Sequence, residues 1–397
     1  MREAVLVDVV RLASGKGKPG GALSATHPTV LLSTVLQALV QRSDLDPALV
    51  EDVITGCVQQ SGEQAMNIGR SALLGAGFPE SVPATTINRQ CGSSQQAVHF
   101  AAQGVMAGAY DVVIACGVES MSRVPMGASP QGQDYEGPQV HERYPDGLVH
   151  QGISAELVAS RWKLDREQLD EYSARSHQRA AHAATSGFFD REVVGIQVTD
   201  ANGATIAHTV DETVRPSTTA EQLAGLKPSF QTPDFSARFP EIEWSITAGN
   251  SSPLTDGASA ALIMDSVVAQ RLGLIPRARF VSFAVTGDDP IMMLTAPIPA
   301  TQQALKRAGL GIDDIDAYEV NEAFAPVPLA WQREIGAHPE RLNARGGAIA
   351  LGHALGSSGT RLLATLVNHL EATGGRYGLQ TMCEAAGMAN ATIIERL

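Results

Sequence analysis

Cysteine is scarce in this chain, with four in 397 residues. Cys57, Cys91, Cys116 and Cys383 lie far apart and form no CxxC pair, which excludes a zinc cage and the disulfide framework of a small secreted domain. No metal site is expected. Aromatic residues are few, at 5%, so stacking platforms for single-stranded nucleic acid are thin. Positive charge is in deficit, with 29 Lys and Arg against 42 Asp and Glu and a formal net charge of −13. Such a surface opposes polyphosphate backbones and argues against a nucleic-acid partner, while a local basic pocket still suits an anionic small molecule. No apolar run is long enough to span a bilayer, so no membrane partner is expected. The opening MREAVLVDVVRL alternates like a strand, unlike a signal or transit peptide, and the ending IIERL matches no address. Together with the isolated cysteines, these features lead us to expect a cytoplasmic protein.

What is present is an ordinary globular composition, 44% hydrophobic and 18% charged, in a chain long enough for two domains or two similar halves. Short β-branched runs alternate with Ala- and Leu-rich stretches: AVLVDVV, TVLLSTVLQALVQR, DVITGCV, ATTINRQ, a helix from about Gly92, then DVVIACG. That order predicts a mostly parallel sheet covered by helices. Near residue 278 the pattern restarts with ARFVSFAV, PATQQALKRAG, DIDAYEV, a helix from Glu322, NARGGAIAL, SSGTRLLATLVNHL, GLQTMC and ATIIERL. Aligning Asp52 with Asp314 gives an offset of 314 − 52 = 262, which carries Cys91 onto His353. Two halves about a pseudo-twofold axis would then bring both corners to one surface. Between the halves, residues 119–240 read as a long excursion with helices GISAELVASRW and REQLDEYSARSHQRAAHAA, suited to binding or to oligomer formation.

The residues with chemistry sit at strand ends. Cys91, in INRQCGSSQQA, is expected at the first turn of a helix, where unpaired N–H groups and the helix dipole favour a thiolate. A free thiol is only a few per cent ionised at neutral pH, so it needs a base, and His353 is the candidate. The glycine-rich run RGGAIALGHALGSSGTR fits neither GxGxxG nor GxxxxGK[ST], so it reads as a tight corner exposing an imidazole. In VNEAFA, Asn321 offers an amide for an oxyanion or a polarising water, and Glu322 a carboxylate to orient a histidine; both also fit a helix N-terminus. Cys383 in TMCEAAGMANA is a buried cysteine taken alone, and a proton carrier if it shares a cavity with Cys91.

Together, CGSS, NEAF, GH in its glycine run and Cys383 near the last strand resemble the thiolase family, acetyl-CoA C-acyltransferases, over essentially the whole chain. The resemblance implies an α/β fold of duplicated βαβαβαββ halves, with helices sandwiched between two mixed sheets and an inserted loop domain. Residues 1–118 and 241–272 would form the N-terminal half, 119–240 the loop domain and 273–397 the C-terminal half. It implies Cys91 as acyl acceptor, His353 as its base and Cys383 as the acid/base for the α-proton of acetyl-CoA. Asn321 and His353 would hold one oxyanion, and the backbone N–H groups of Cys91 and Ala385 the other. His150, Arg215, Phe230, Ser252, Met293 and Phe324 would contact substrate or coenzyme A. The implied reaction is thiolytic cleavage of a 3-oxoacyl-CoA to acetyl-CoA and a shortened acyl-CoA, or the reverse condensation. Acyl-CoA and CoA are then the partners, CoA is a substrate, no cofactor is needed, and a homodimer or homotetramer is expected. Alternatives are an acetoacetyl-CoA-forming biosynthetic enzyme and a non-catalytic acyl-CoA or lipid binder. The chain departs from the family pattern at Ala354, where proline is usual, at Ala385 and Ala386, where glycines are usual, and at Gln151, often Met in short-chain biosynthetic members. The alanine at 354 is expected to loosen the turn, and the alanine pair to keep its N–H only at negative φ.

Overall fold

Strand formation follows the β-branched runs. In the computed structural model, which describes residues 2–199 and 203–397, the N-terminal half contributes Ala4–Leu12 (β1), Asp52–Gly56 (β2), Ala84–Ile87 (β3), Val112–Ser120 (β4) and Thr255–Asp265 (β5). The C-terminal half contributes Ala278–Gly287 (β6), Ala317–Val320 (β7), Tyr377–Glu384 (β8) and Met388–Arg396 (β9). Their spatial orders match: β1-β5-β4-β2-β3 in the first half and β6-β9-β8-β7 in the second. In each half the first strand runs antiparallel to the last, the last antiparallel to the one before it, and the next pair is parallel. A short antiparallel seam, Val5 opposite Arg279 and Leu6 opposite Ala278, joins the halves. The counterpart of β3 shrinks to one parallel bridge between Tyr318 and Leu342.

The sheets are therefore mixed, not mostly parallel. The alternating order describes the crossovers correctly, but the closing strand of each half inserts antiparallel beside the first, which no local pattern announces. Strands β1, β4 and β5 are buried along their whole length, as sheets covered on both faces must be. Helices Ser93–Ala107 and Ser358–Thr373 pack against each other and against strands of both halves, forming the layer between them. These two helix starts differ by 358 − 93 = 265 residues, so the strict counterpart of Cys91 is Gly356, and His353 lies three residues ahead of it. The expected offset of 262 holds at neither helix. The helix expected from Glu322 starts instead at Pro326, because prolines at 326 and 328 suit its first turn and Asn321 to Ala325 remain loop. NARGGAIAL forms turns and a short helix, Ala348–Leu351.

The excursion between β4 and β5 carries helices Gln151–Arg161 and Arg166–Thr185, the latter started by a capping box of Asp165 and Gln168. It docks on the core through a buried charge cluster. Arg11 of β1 donates from Nε to Glu192 at 2.7 Å and forks onto Asp211 at 2.7 and 3.0 Å, while Glu192 also accepts from Thr365 and Asn368. Among the described residues no helix is long and apolar enough to cross a membrane. Removing Arg11 leaves two buried carboxylates without their cation, so Arg11→Ala is expected to cost about 3–5 kcal/mol. Urea denaturation of the variant beside the wild type measures it.

Candidate active site

Cys91 lies in a stapled turn between β3 and the helix Ser93–Ala107. Gln90 takes φ +48, Ser93 Oγ donates to Gln90 O at 2.6 Å and accepts from Arg89 N at 2.9 Å, and the helix begins behind Gly92. The residue belongs to a buried cluster with Val58, Met121, Leu355, Leu362 and Met382. It is buried, and burial pushes its thiol up to about 12, with Glu384 adding to the rise and its own backbone N–H and the Gln151 side chain opposing it. The expectation of a helix-stabilised thiolate is overturned at this point. Lost hydration outweighs the N–H groups of one helix end, so the resting group is a thiol.

Cys383 lies near the end of β8, opposite Ala389, and is buried. Its thiol is pushed well above the usual range by burial and then by Cys91, so the two sulfurs sit within reach of each other's charge. The apolar cluster around Cys383 includes Met293 and Phe324, with Phe230 against its rim. Phe230 stands 6.1 Å from Phe324 and 5.2 Å from His150, centre to centre, and its ring lies over Gly152, where any Cβ would strike it. His150 immediately precedes the helix Gln151–Arg161. His150 and Phe230 thus stack toward Phe324, which shares one apolar wall with Met293 and Cys383. Ser252 donates its N–H to Ala323 O, next to Phe324 in the chain. Arg215 is exposed on a loop, and its backbone N–H donates to His177 Nδ1.

His353 is buried, and burial followed by Arg361 pulls its imidazole down to about 3, so it is neutral. Ser358 Oγ lies 2.6 Å from Nδ1 and donates to Ala354 O at 2.8 Å. Because the hydroxyl proton is engaged there, the network assigns the ring proton to Nδ1 and leaves Nε2 as a lone pair. Asn321 Nδ2 stands 3.3 Å from that Nε2. Leu355, two residues past His353, packs in the Cys91 cluster, which brings the histidine corner against the cysteine turn. Ala354 takes φ −71, the angle a proline would impose, and the serine bond to its carbonyl holds the turn without a ring.

Glu322 does not orient His353. Its Oε1 accepts from Tyr172 at 2.8 Å and Asn343 at 2.9 Å, and its Oε2 from Ser176 at 2.7 Å and the Ile349 N–H at 3.1 Å. The carboxylate ties the excursion to the glycine run, and so fixes the loop that carries His353. Ser358, Thr255, which accepts from the His353 N–H at 3.0 Å, and Glu119 are supports that the sequence reading missed. Glu119 accepts four bonds, from the N–H groups of Val58, Gln59 and Gly356 and the Gln64 amide. Each is an ordinary polar residue in sequence; only the partners distant in the chain reveal it. Among the described residues no three His, Cys, Asp or Glu side chains group as metal ligands would.

The turn after β8 carries the alanine pair. Ala386 adopts φ +64 and Gly387 φ +78, whereas Ala385 is outside the left-handed region. Negative φ therefore holds at Ala385, whose N–H was the one implicated, and fails at Ala386, which carries a Cβ where glycine is at ease. Ala386→Gly is expected to stabilise the fold by about 1 kcal/mol, partly offset by the freer unfolded chain, as a raised denaturant midpoint would record.

Comparison with known proteins agrees with this architecture. Family models described as the thiolase N-terminal and C-terminal domains match residues 4–267 and 274–396. A steroid 3-ketoacyl-CoA thiolase, FadA6, of Mycobacterium tuberculosis is 45% identical, over 100% of this chain and 95% of its own. A 3-ketoacyl-CoA thiolase of Shewanella frigidimarina is 43% identical over the full length of both chains. The crystal structure of a Bacillus anthracis acetyl-CoA acetyltransferase superposes with a TM-score of 0.89 at 35% identity, covering 100% of this chain and 99% of that one. With two family models spanning nearly all of its length and relatives this similar from end to end, the chain belongs to the thiolase family.

Proposed function

We propose that this protein cleaves 3-oxoacyl-CoA by thiolysis through an acyl-enzyme on Cys91. The observation that carries the reading is the pair of buried sulfurs, Cys91 and Cys383, each within the other's electrostatic reach, beside the Asn321–His353 pair. The 3-ketoacyl-CoA thiolases at 43–45% identity support the degradative direction over acetoacetyl-CoA synthesis, as does Gln151 beside Cys91.

In the first step His353 Nε2 takes the Cys91 proton and the thiolate attacks the 3-keto carbon. The resulting Nε2–H, with the Asn321 amide, faces the oxygen that becomes negative, so one proton transfer creates both nucleophile and oxyanion donor. The bond between C2 and C3 breaks, leaving the acyl group on Cys91 and acetyl-CoA as an enolate. The backbone N–H groups of Cys91 and Ala385 hold that enolate oxygen while Cys383 delivers a proton to carbon. Cys383, left as a thiolate, takes the thiol proton of free CoA; the CoA sulfur attacks the Cys91 thioester and releases the shortened acyl-CoA, and the proton held on His353 Nε2 returns to the Cys91 thiolate. A buried base and acid are needed because each charge forms where little water can share it. CoA enters as substrate, and the chemistry calls for no metal or redox group. All four cysteines are free, which fits a reducing, cytoplasmic setting, and a homodimer or homotetramer belongs to the same reading.

Incubation with acyl-CoA should add one acyl mass to the wild type and none to Cys91→Ala; acylation of that variant would remove Cys91 from its role. Cys383→Ser should still acylate yet lose exchange of the acetyl-CoA α-protons in deuterated water. His353→Ala should slow alkylation of Cys91 at neutral pH by about 10²-fold or more. Free acid as the product, in place of a new thioester, would instead mark a hydrolase.

A further inference from the structure

The carboxyl of Glu384, which follows Cys383 in the chain, has no role in the steps above, yet it lies against the nucleophile's turn. Successive strand residues face opposite sides, so where Cys383 joins the apolar wall, Glu384 reaches Gly92 behind Cys91. Its Oε1 lies 2.0 Å from where a Gly92 Cβ would be, so only glycine at 92 leaves room for it. Glu384 is fully buried, and neither carboxyl oxygen has a hydrogen-bond partner. Beside it Asn390 donates to Gly92 O at 3.0 Å and its own Oδ1 is also unpartnered. The unpartnered atoms of this pair are all acceptors, and what the region lacks is a donor.

The duplication supplies an internal comparison. The 265-residue offset of the two helix starts also carries Glu119 onto Glu384 (384 − 119 = 265). Glu119 is a carboxylate with four donors, one of them the N–H of Gly356, the counterpart of Cys91. Glu384 has none. A buried carboxylate without a single donor is far costlier than a neutral acid, whose O–H is itself the missing donor.

We propose that Glu384 is a positioning residue that stays a neutral acid behind the Cys91 turn, so that Cys91 and Cys383 can carry negative charge in turn, and that its ionisation opposes both. Burial pushes its carboxyl up to about 8 against a partial pull from Arg89, so it is neutral at pH 7 and charged above about 8. The titratable groups that feel it are Cys91 and Cys383, and both thiols are raised by its charge. Glu119 acts on Cys91 in the same sense, and Arg89 is the cation facing the pair. The inference rests on Cys91 being the acyl acceptor.

The test follows iodoacetamide alkylation of Cys91 in the full-length enzyme by peptide mass spectrometry, from about pH 6 to about pH 10, in the wild type, Glu384→Gln and Glu384→Met. Both neutral replacements are expected to match the wild type at pH 7, where Glu384 is itself neutral, and to alkylate about tenfold faster at about pH 10, where only the wild type carries the charge. Infrared difference spectra should show a protonated-carboxyl band at pH 7 that Glu384→Gln lacks. Equal alkylation rates at about pH 10 in a folded variant, or a band unchanged by the substitution, overturn the proposal. Should neither variant fold, the wild-type alkylation curve decides: a second inflection near pH 8 supports it and a single inflection overturns it. Acetylation of Cys91 by acetyl-CoA on the same samples separates the two readings. No acetylation in the wild type defeats the functional reading and this inference together; acetylation with alkylation rates that stay equal above pH 8 defeats this inference alone.

Discussion

Desolvation sets the terms of this site. The thiol of Cys91 is pushed up to about 12 and the imidazole of His353 down to about 3, in each case chiefly by burial. Both groups are therefore neutral at rest, because the backbone N–H and the Gln151 side chain that favour a Cys91 thiolate do not make up for the water lost on burial. A thiolate–imidazolium pair becomes accessible only when a substrate oxygen arrives to share the charge with positioned donors, which ties ionisation to occupancy. A thiolate standing free in the empty pocket would be open to oxidation and alkylation; a buried thiol ionises only to a small extent until its substrate arrives. The same logic governs Cys383, whose thiol is raised by burial and by its neighbour.

The geometry that satisfies this constraint comes from three parts of the chain. The N-terminal half provides the Cys91 turn; the C-terminal half provides Asn321, His353 and Cys383; the excursion provides His150, Gln151 and Phe230. None of these parts holds the others by apolar contact alone. Glu322 binds Tyr172 and Ser176 of the excursion to Ile349 of the glycine run, and Glu119 binds Val58 and Gln59 to Gly356. Carboxylates saturated with donors are rigid, directional joints, suited to fixing loops that carry catalytic side chains. Loop placement here is thus an electrostatic matter, and sheet packing supplies the frame.

Much of this was legible in the sequence because the chemistry lies at strand ends, where periodicity breaks and motifs stand out. Cys91, His353, Asn321 and Cys383 could be named from local context, and the repeat was visible in the recurrence of strand and helix patterns. What escaped were properties of long-range partnership. The antiparallel closing strands β5 and β9 look like any other apolar run. The charge state of Cys91 follows from burial, which overrides a helix end that local reasoning could see. Glu322 stands beside Asn321 in sequence and suggests a catalytic carboxylate, yet its four donors come from residues 172, 176, 343 and 349.

The duplicated corners show how one backbone plan came to serve two roles. At the helix start of the first half the chain places a sulfur at residue 91; at the equivalent place in the second half it places Gly356, whose N–H is taken by Glu119. A Cβ there would strike the carbonyls of Val118 and Gly56 and the Cα of Cys57, so glycine is what lets this corner pack against β2 and β4. The histidine enters from three residues earlier, beyond a turn in which Gly352 takes φ +84 and Thr255 accepts the His353 N–H. A strictly symmetric dimer of halves would present two identical groups to the axis and could not separate nucleophile from base. By breaking the repeat within a single turn, while keeping strand order and both central helices, the fold carries a sulfur on one half and an imidazole on the other, at corners joined where Leu355 enters the Cys91 cluster. Their relative position is then held by the buried helix layer between the halves.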